Sequence, residues 1–459
     1  MKVLVLNGSP KARTENSFNR VYFDHIRALF PEHQFDMVSI ARDVNVLAQR
    51  GERLDELCTL LRECDGIIWQ VPVFTALIPS QVKQFVELVF NDSYIRGLFS
   101  GKYCTVMTTS IQIFDNWAEY YLQSISEQMG AICTETFSGQ IQPMISDDFR
   151  VALKGHLNRF FDAIQCGYRI PRRFAPVVHH TREIMLPPVT EKLTTANSAG
   201  RIGLITDFTD DTGNLKQMVD YFCSVTTAKV DVLDLGECDI SGCTSCMNCL
   251  NSQLCVQKDG FMELHDRYVM SADAVVYAGV VREDYFSYRI KHFMDREFYL
   301  QHRTIYRGKP MGLIVSGPFY QLPLFQESVS SIWNGRGGKL NAPICDDGCS
   351  EKELAAQLQW LATTIAHKMT QAVPEPLGYY AATSSRTFRD FSWLTRFPFV
   401  AEYKSFKQEG RYASFPHKLK KIRYRMFKLQ MMMLFRGFHK ALKKYNEVRM
   451  KGMRRQLPS

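Results

Sequence analysis

Short apolar segments alternate with amphipathic segments along most of this chain, and this alternation constrains the fold more than any other feature. The apolar segments have the length of β-strands, and the segments between them repeat apolar residues at the helical spacing of three and four. Strands that alternate with helices predict a parallel sheet with helices on both faces. The pattern runs through residues 1–169, stops, and starts again at residue 201. We therefore predict two three-layer α/β domains in tandem.

The chain has 459 residues, which is more than one ordinary domain needs. Residues 170–200 contain several prolines and no regular period, and this predicts a linker. The second alternating segment covers residues 201–372, and residues 373–459 form a helical extension. The restart favours an internal duplication, although two unrelated α/β domains would give a similar pattern.

Charge is distributed unevenly along the chain. The whole sequence has a net charge of +9, whereas residues 386–459 contain 20 Lys/Arg and 4 Asp/Glu, a net of +16, so the remainder carries −7. Between residues 415 and 445, apolar residues recur three and four apart among lysines and arginines, which predicts a basic amphipathic helix. Such a helix can bind an anionic membrane surface, an acidic protein such as ferredoxin, or the acidic part of this chain. No recognised nucleic-acid module accompanies it, so no nucleic-acid partner is expected.

The sequence also indicates a compartment. No stretch approaches twenty apolar residues, so no transmembrane helix is expected. The first residues have the pattern of a β-strand and not of a signal peptide, so we expect a cytoplasmic protein that the basic tail can hold at a membrane periphery. Thirteen cysteines in a reducing compartment indicate metal binding, redox chemistry or buried thiols, and not disulfides.

Four cysteines stand in one short run, namely Cys243, Cys246, Cys249 and Cys255. The spacing C-x2-C-x2-C-x5-C can place four thiolates around one compact centre, which favours a 4Fe-4S cluster. Thiolates exclude metals that prefer oxygen, but a zinc site and free redox thiols remain alternatives. Cys238 lies five residues upstream, and the spacing leaves its role as a ligand open. The run follows a predicted strand, at the edge where open α/β sheets bind ligands.

The cysteine run and its surroundings resemble the iron–sulfur flavoproteins, a branch of the flavodoxin-like NADPH-dependent FMN reductase family. The resemblance covers residues 201–372 and rests on the cysteine run and on KDGF, SADAVV and KHFMDR, which start at residues 258, 271 and 291. It implies a flavodoxin-like fold, with a 4Fe-4S cluster held by the four cysteines beside FMN.

The first domain resembles the same family without the cysteine run. Residues 7–11, NGSPK, are similar to the family's phosphate loop. Gly8 permits a tight turn there, hydroxyl and N–H groups converge at a helix N-terminus, and Lys11 adds positive charge. An ordinary strand-to-helix turn is the alternative. The resemblance implies that the FMN phosphate is bound by Ser9, Lys11, Thr14, Asn16 and Ser17.

Two further loops of the first domain resemble the family's flavin site. Residues 71–75, VPVFT, are similar to the loop that lies along the flavin ring, with Phe74 in place of the usual tyrosine. Residues 108–110 follow the next predicted strand and offer hydroxyls at the ring edge. Val73 and Phe74 are equally compatible with a core position. The ring contacts implied are Pro72, Val73, Phe74, Thr75, Thr108, Thr109 and Ser110.

The second domain departs from the family at its own phosphate loop. Residues 206–214, TDFTDDTGN, place three aspartates where a phosphate would lie. Each repels the phosphate by about 1 kcal/mol even in water. We therefore expect FMN on the first domain and the cluster on the second, so that the chain is a fused pseudo-dimer. Further homo-oligomerisation is left open.

These features predict an oxidoreductase that passes electrons between a 4Fe-4S cluster and FMN. It would link a ferredoxin-like or NAD(P)H donor to a small acceptor. No catalytic acid, base or nucleophile is assigned. The alternatives are an NAD(P)H-dependent FMN or quinone reductase without a cluster, and a non-enzymatic zinc-stabilised α/β binding module.

Overall fold

The computed structural model describes residues 1–11, 17–110, 113–140, 146–179, 182–189, 200–209, 213–370, 378–394, 396, 399–414 and 424. The chain forms two compact units, Met1–Arg386 and Thr387–Ser459. Both α/β sheets lie in the first of these units.

The first domain is built on a parallel sheet in the order β2-β1-β3-β4, with β5 and β6 both beside β4. Its strands are β1 (Lys2–Asn7), β2 (Gln34–Val38), β3 (Gly66–Pro72), β4 (Tyr103–Ser110), β5 (Ile132–Cys133) and β6 (Phe137–Gln140). Its helices are α1 (Phe18–Leu29), α2 (Val44–Ala48), α3 (Glu52–Glu63), α4 (Ser80–Phe90), α5 (Ser93–Gly97), α6 (Asp115–Gln128) and α7 (Asp147–Cys166).

The second domain repeats this topology in the order β8-β7-β9-β10, with β11 and β12 beside β10. Its strands are β7 (Arg201–Thr206), β8 (Lys229–Asp234), β9 (Ala274–Val280), β10 (Pro310–Ser316), β11 (Lys339–Leu340) and β12 (Ile344–Cys345). Its helices are α8 (Asn214–Val225), α9 (Cys249–Ser252), α10 (Phe261–His265), α11 (Tyr288–Arg296), α12 (Pro323–Gly335) and α13 (Glu351–Thr370). Both sheets have the flavodoxin-like order 2-1-3-4-5, which confirms the predicted fold of two such domains in tandem.

The sequence pattern did not show several short strands and one helix. Residues 131–137 contain β5 and the start of β6, and the two-residue strands β11 and β12 were not predicted. Strands this short are too brief to display an alternating pattern. Helix α12 was also missed, and α11 begins only at Tyr288 because a tight turn at residues 282–285 precedes it.

One apolar core extends through both domains. It includes Leu4, Trp69 and Phe85 of the first domain and Tyr285 and Phe293 of the second, all at most 1% exposed. Two smaller cores lie on the other faces of the sheets, one under α1 and α7 and one under α8 and α13. Because burial of apolar surface is the main favourable contribution to folding, the shared core stabilises the two domains as one body.

Beyond the second sheet, the chain continues in α14 (Tyr379–Leu394) and α15 (Val400–Gln408). In the second unit the rings of Trp393, Tyr403 and Tyr412 pack together, and the hydroxyls of Ser392 and Tyr412 are 2.6 Å apart. The predicted basic helix between residues 415 and 445 lies outside the described residues, apart from Tyr424. In the part of the chain that is described, no helix has the length and apolar character needed to cross a membrane.

A buried histidine makes the stability of the first domain depend on pH. His156 of α7 is 3% exposed, and its Nε2 lies 3.0 Å from the Thr105 hydroxyl. Burial, and secondarily Arg159, lower the pKa of His156 from 6.5 to about 4. Between these values the unfolded chain binds a proton that the folded chain does not, so stability falls as the pH falls.

We expect the free energy of unfolding to lose about 2 kcal/mol between pH 8 and pH 5 through this residue. Urea unfolding of wild type and of His156→Asn at both pH values measures that contribution. It is the change in unfolding free energy of wild type between the two pH values minus the same change in the variant. His367→Asn, an exposed position on α13, is the matched control and should leave the pH dependence unchanged. Equal pH dependence in wild type and His156→Asn would contradict the prediction.

Candidate cofactor site between the two domains

The predicted phosphate loop lies at the carboxyl end of β1 and leads into α1. Ser17 is the N-cap of α1, where its Oγ accepts a hydrogen bond from the Asn19 N–H at 3.2 Å. The same Oγ donates to the Ser9 Oγ at 2.9 Å, and the Ser9 N–H donates to Asn7 Oδ1 at 3.1 Å. Lys11 follows, half-buried. Predicted residues Thr14 and Asn16 lie outside the described residues.

Hydrogen bonds fix this loop to the sheet. Asn19 Nδ2 donates to Asn7 Oδ1 at 2.9 Å and to the Gln70 carbonyl at 2.7 Å, while the Thr109 hydroxyl donates to Asn19 Oδ1 at 3.0 Å. Gly8 is required for close packing, since a Cβ there would lie 2.5 Å from Val71 Cγ1. Asn7 Nδ2 is buried without a hydrogen-bond partner among the described residues. A fixed helix N-terminus lined by hydroxyls and a spare amide N–H suits an anion.

The predicted ring loop continues from β3. The Phe74 N–H donates to the Leu77 carbonyl at 2.7 Å, and the Leu77 N–H donates back at 3.1 Å. Between them Thr75 and Ala76 have φ angles of 48° and 58°. Two consecutive non-glycine residues therefore adopt the left-handed conformation of a type I′ turn. Such conformations cost about 1 kcal/mol or more each and cluster at functional sites. The Val73 N–H donates to the Thr109 carbonyl at 3.0 Å, which ties the loop to β4.

The predicted ring-edge hydroxyls on β4 already contact protein groups. The Thr108 hydroxyl donates to Glu119 Oε1 at 2.9 Å, and the Ser110 hydroxyl donates to Asp115. Burial raises the pKa of both carboxyls, against hydrogen bonds that lower it. Thr108 and Ser110 therefore have only acceptor lone pairs to offer a ligand. Asp115 and Glu119 were not predicted as site residues, although their spacing of four at the start of the helix after β4 was an available signal.

The four cysteines of the run lie in the loop between β8 and α10, which we call the cysteine loop (residues 238–259). Cys246 is exposed, whereas Cys243, Cys249 and Cys255 are partly buried. The chain reverses direction between them, with left-handed φ angles at Ser245 (54°), Met247 (62°) and Gln253 (54°).

The thiols of the cysteine loop influence one another. Burial first, then Asp295 and the Cys249 and Cys255 thiols, raise the pKa of Cys243 to about 12, against a backbone hydrogen bond from Ser245 that lowers it. Burial and the Cys246 thiol raise the pKa of Cys249 to about 11. At Cys246 partial burial opposes ionisation, but hydrogen bonds led by that of Asn248 outweigh it and lower the pKa. Within the described ranges, no three Cys, His, Asp or Glu side chains converge as a metal site.

The cysteine loop contacts the first domain. Gln81 Nε2 of α4 donates to the Cys243 carbonyl at 3.0 Å. A cavity of about 580 Å³ lies beside this contact and is lined by residues of both domains. The cysteine loop thus lies on the same cavity as the end of the phosphate loop. Lining residues include Pro10, Gln84, Cys238, Thr244 and His292.

Helices α4 and α11 form a pseudo-symmetric pair, in which each residue of α11 lies 208 positions after its counterpart in α4. The Ser80 N–H at the start of α4 donates to Asp295 Oδ2 at 2.8 Å. The Tyr288 N–H at the start of α11 donates to Glu87 Oε1 at 2.7 Å. Each helix therefore has its N-terminus stabilised by a carboxylate from the other domain, as the helix dipole favours.

Two buried lysines extend these contacts to the turns after the central strands. Lys83 Nζ lies 2.6 Å from Glu87 Oε1 and 3.2 Å from Glu283 Oε2. Lys291 pairs with Asp295 and donates to the Phe74 carbonyl at 3.1 Å. The Phe298 ring also lies 5.9 Å from that of Phe74. The second domain therefore holds the predicted ring loop of the first.

The corresponding phosphate position of the second domain is filled by the chain itself. Asn214, at the start of α8, accepts from the Ile184 N–H at 3.1 Å and donates to the Arg182 carbonyl at 2.7 Å. It also donates to Asp346 Oδ2 at 3.2 Å, and Ile184 is 1% exposed. The segment of residues 182–189 thus covers the helix N-terminus that would otherwise receive a phosphate.

Comparison with known proteins identifies the fold of the first domain. Residues 1–137 match the model of a protein family described as having a flavodoxin-like fold. No curated protein gave a match.

Solved structures that are similar each align with a minor part of the chain. One is the flavoenzyme NAD(P)H:(acceptor) oxidoreductase FerB from Paracoccus denitrificans, at 19% identity, 36% of this chain, 97% of that chain and a TM-score of 0.31. Another is the general stress protein 14 from Treponema denticola in complex with FMN, at 12% identity, 36% of this chain, 99% of that chain and a TM-score of 0.27. A third, an NADH:FMN oxidoreductase (EmoB) in its apo form, has 18% identity over 35% of this chain and 87% of that chain, with a TM-score of 0.29.

Proposed function

We propose that this chain is an iron–sulfur flavoprotein oxidoreductase that holds FMN on its first domain and a 4Fe-4S cluster on Cys243, Cys246, Cys249 and Cys255. When both are bound, the cluster exchanges single electrons and the flavin stores two, which joins one-electron to two-electron chemistry. The observation that carries the proposal is that the second domain contacts the first next to the candidate flavin loops. The Cys243 carbonyl of the cysteine loop accepts from Gln81 of α4, and Lys291 of α11 donates to the Phe74 carbonyl.

The first domain offers what a flavin phosphate needs. Ser9 and Ser17 present hydroxyls at the N-terminus of α1, and Lys11 supplies a cation nearby. Pro72, Val73, Phe74 and Thr75 form a rigid loop at the end of β3, where ligands of such sheets bind. In the second domain the segment of residues 182–189 takes this place, which favours one FMN per chain.

The cysteine loop offers a donor set suited to the cluster. Its four thiols lie within one short loop, and thiolates are the ligands that iron–sulfur clusters use. The pseudo-symmetric contacts of α4 and α11 support the pseudo-dimer and an origin by internal duplication. A ferredoxin-like protein or NAD(P)H would be the donor, and the basic tail would bring the chain to an anionic membrane surface in the cytoplasm.

A second candidate is an NAD(P)H-dependent flavin or quinone reductase without a cluster. It is favoured by the lack of a convergent metal site within the described ranges. Iron, sulfide and flavin analysis of anaerobically purified full-length protein separates the two. We expect one FMN and, as a 4Fe-4S cluster requires, about four irons per chain. Two FMN per chain, or flavin without iron, would overturn the proposal.

Charge reversal tests which domain binds the flavin. Lys11→Glu puts a carboxylate beside the phosphate, and we expect FMN to bind about 10 to 100 times more weakly, which corresponds to about 1.4–2.7 kcal/mol. Lys216→Glu makes the same change in the first turn of α8 and should leave the affinity unchanged. Fluorescence titration of the apoprotein with FMN measures both. Weakening by Lys216→Glu alone would place the flavin on the second domain.

A further inference from the structure

Two cysteines of the first domain lie side by side in its sheet. Cys104 of β4 and Cys133 of β5 pair directly across neighbouring parallel strands, and their Sγ atoms are 2.9 Å apart. Cys104 is completely buried and Cys133 is 5% exposed. The Thr134 N–H donates to the Cys104 carbonyl at 2.8 Å, and the Ile132 N–H donates to the Lys102 carbonyl at 2.8 Å. Hydrogen bonds of the sheet therefore hold the two thiols in contact.

This arrangement already meets the distance requirements of a disulfide. Adjacent strands lie about 4.7–4.9 Å apart, and disulfides join residues whose Cα atoms are about 4.4–6.8 Å apart. An S–S bond is about 2.05 Å long, so sulfurs that are 2.9 Å apart need to approach by about 0.85 Å. The bond therefore needs no new pairing of the strands.

The second domain shows what the sheet itself requires at this position. Cys104 and Cys133 correspond there to Met311 of β10 and Leu340 of β11, which pair in the same register. An apolar pair thus satisfies the packing, and a buried thiol can also serve as a small apolar group. Packing alone does not require two cysteines with their sulfurs in contact, which is what the first domain has.

We propose that Cys104 and Cys133 form a reversible disulfide when the protein meets a small oxidant of the hydroperoxide class. Hydrogen peroxide converts one thiol to a sulfenic acid and releases one water. The second thiol then attacks that sulfur, the S–S bond forms and a second water leaves. The two thiols lose two electrons and two protons in total, and the peroxide becomes two waters.

The neighbouring thiol also limits further oxidation. A sulfenic acid without a partner can proceed to a sulfinic acid, which ordinary thiols do not reduce. Here a second sulfur lies 2.9 Å away, so we expect disulfide formation to be faster. The bond closes a loop of residues 104–133, which includes Ser110 and α6. Oxidation would therefore constrain the segment that the sequence predicts at the ring edge, although the chemistry of the pair needs no bound cofactor.

Burial makes the pair slow to react. Contact with the Cys104 thiol, and secondarily burial, raise the pKa of Cys133, so little thiolate is present at neutral pH. Exposed Cys246 should therefore be oxidised before the pair. Hydrogen peroxide is close to water in size, and local opening of β5 can admit it, because β5 has only two residues and lies at the edge of the sheet.

Trypsin isolates the two cysteines in one peptide, which makes the test specific. No Lys or Arg lies between Tyr103 and Arg150, and the peptide of residues 103–150 contains no cysteine besides Cys104 and Cys133. Full-length protein is treated with hydrogen peroxide until the loss of free thiols stops. It is then unfolded, alkylated with iodoacetamide, digested and analysed by mass spectrometry, with and without prior reduction by dithiothreitol.

We expect the peptide from peroxide-treated protein to carry no alkyl group and to be lighter by two hydrogen atoms. After dithiothreitol it should carry two alkyl groups. Cys58 of α3, which is 7% exposed, is the internal control for a buried thiol, and its peptide of residues 54–62 should contain no disulfide. Alkylation of both Cys104 and Cys133 after peroxide treatment would overturn the proposal. Sulfinic acid at either one, or a disulfide from either to another peptide, would overturn it as well.

Discussion

If the chain holds the proposed cofactors, replacing Cys249 with alanine is expected to remove the iron and to leave the flavin in place. Cys249 begins α9, and its carbonyl accepts from Gln301 Nε2 at 3.1 Å. Its backbone position is therefore fixed by a contact within the second domain. A cubane cluster needs four thiolates, and the loss of one exposes an iron to solvent and to release. Iron should fall from about four per chain to less than one. The FMN content should not change, because the candidate flavin loops belong to the first domain.

The matched control removes a thiol outside the run. Cys223 of α8 is partly buried, and burial raises its pKa to about 11. Cys223→Ala should retain all the iron. Cys238→Ala, a thiol that donates to the Asp234 carbonyl at 3.3 Å, tests whether the fifth cysteine is also a ligand. Full iron content in Cys249→Ala would exclude the four-cysteine run as the cluster site. Zinc in place of iron in the wild-type protein would favour the zinc-stabilised binding module.

The fold could be predicted from the sequence because both sheets are buried on both faces. A buried parallel strand is a nearly continuous apolar run, as in β9, where every residue but the last is buried. The amphipathic helices between such runs display their period clearly. The resemblance of residues 7–11 and 71–75 to a flavin site then gave the loops at the carboxyl ends of β1 and β3. The sequence pattern thus predicted where these backbone segments lie, and not which side chains contact one another.

Contacts between distant segments could not be predicted in this way. Lys291 and Phe74 are 217 positions apart, and nothing local to either shows that one domain's lysine supports the other domain's turn. The same holds for Ile184, which lies in a segment predicted only as a linker but is buried against the second domain. Thr108 and Ser110, predicted to follow a strand, are the last residues of β4 itself, and their carboxylate partners depend on the packing of α6.

The second large effect is expected at Lys291. Lys291 and Asp295 are both completely buried, and the lysine also donates to the Phe74 carbonyl. Lys291→Met leaves the Asp295 carboxylate buried without its partner, which costs about 3–5 kcal/mol. We expect urea unfolding to shift by that amount. Lys216→Met is the matched control, since Lys216 and Asp220 have the same spacing on a helix but are more than 60% exposed. It should cost less than about 1 kcal/mol.

A double variant separates the buried charge from the interface. In Lys291→Met with Asp295→Asn the orphaned charge is gone, while the asparagine carbonyl still accepts from the Ser80 N–H at the start of α4. Most of the lost stability should return, since replacing a buried ion pair by neutral groups is often neutral. We also expect Lys291→Met to weaken FMN binding, because the Phe74 carbonyl loses its donor, and the double variant should not restore that affinity. Recovery of both would mean that Lys291 acts only as a counter-ion, and recovery of neither would mean that the interface needs the pair itself.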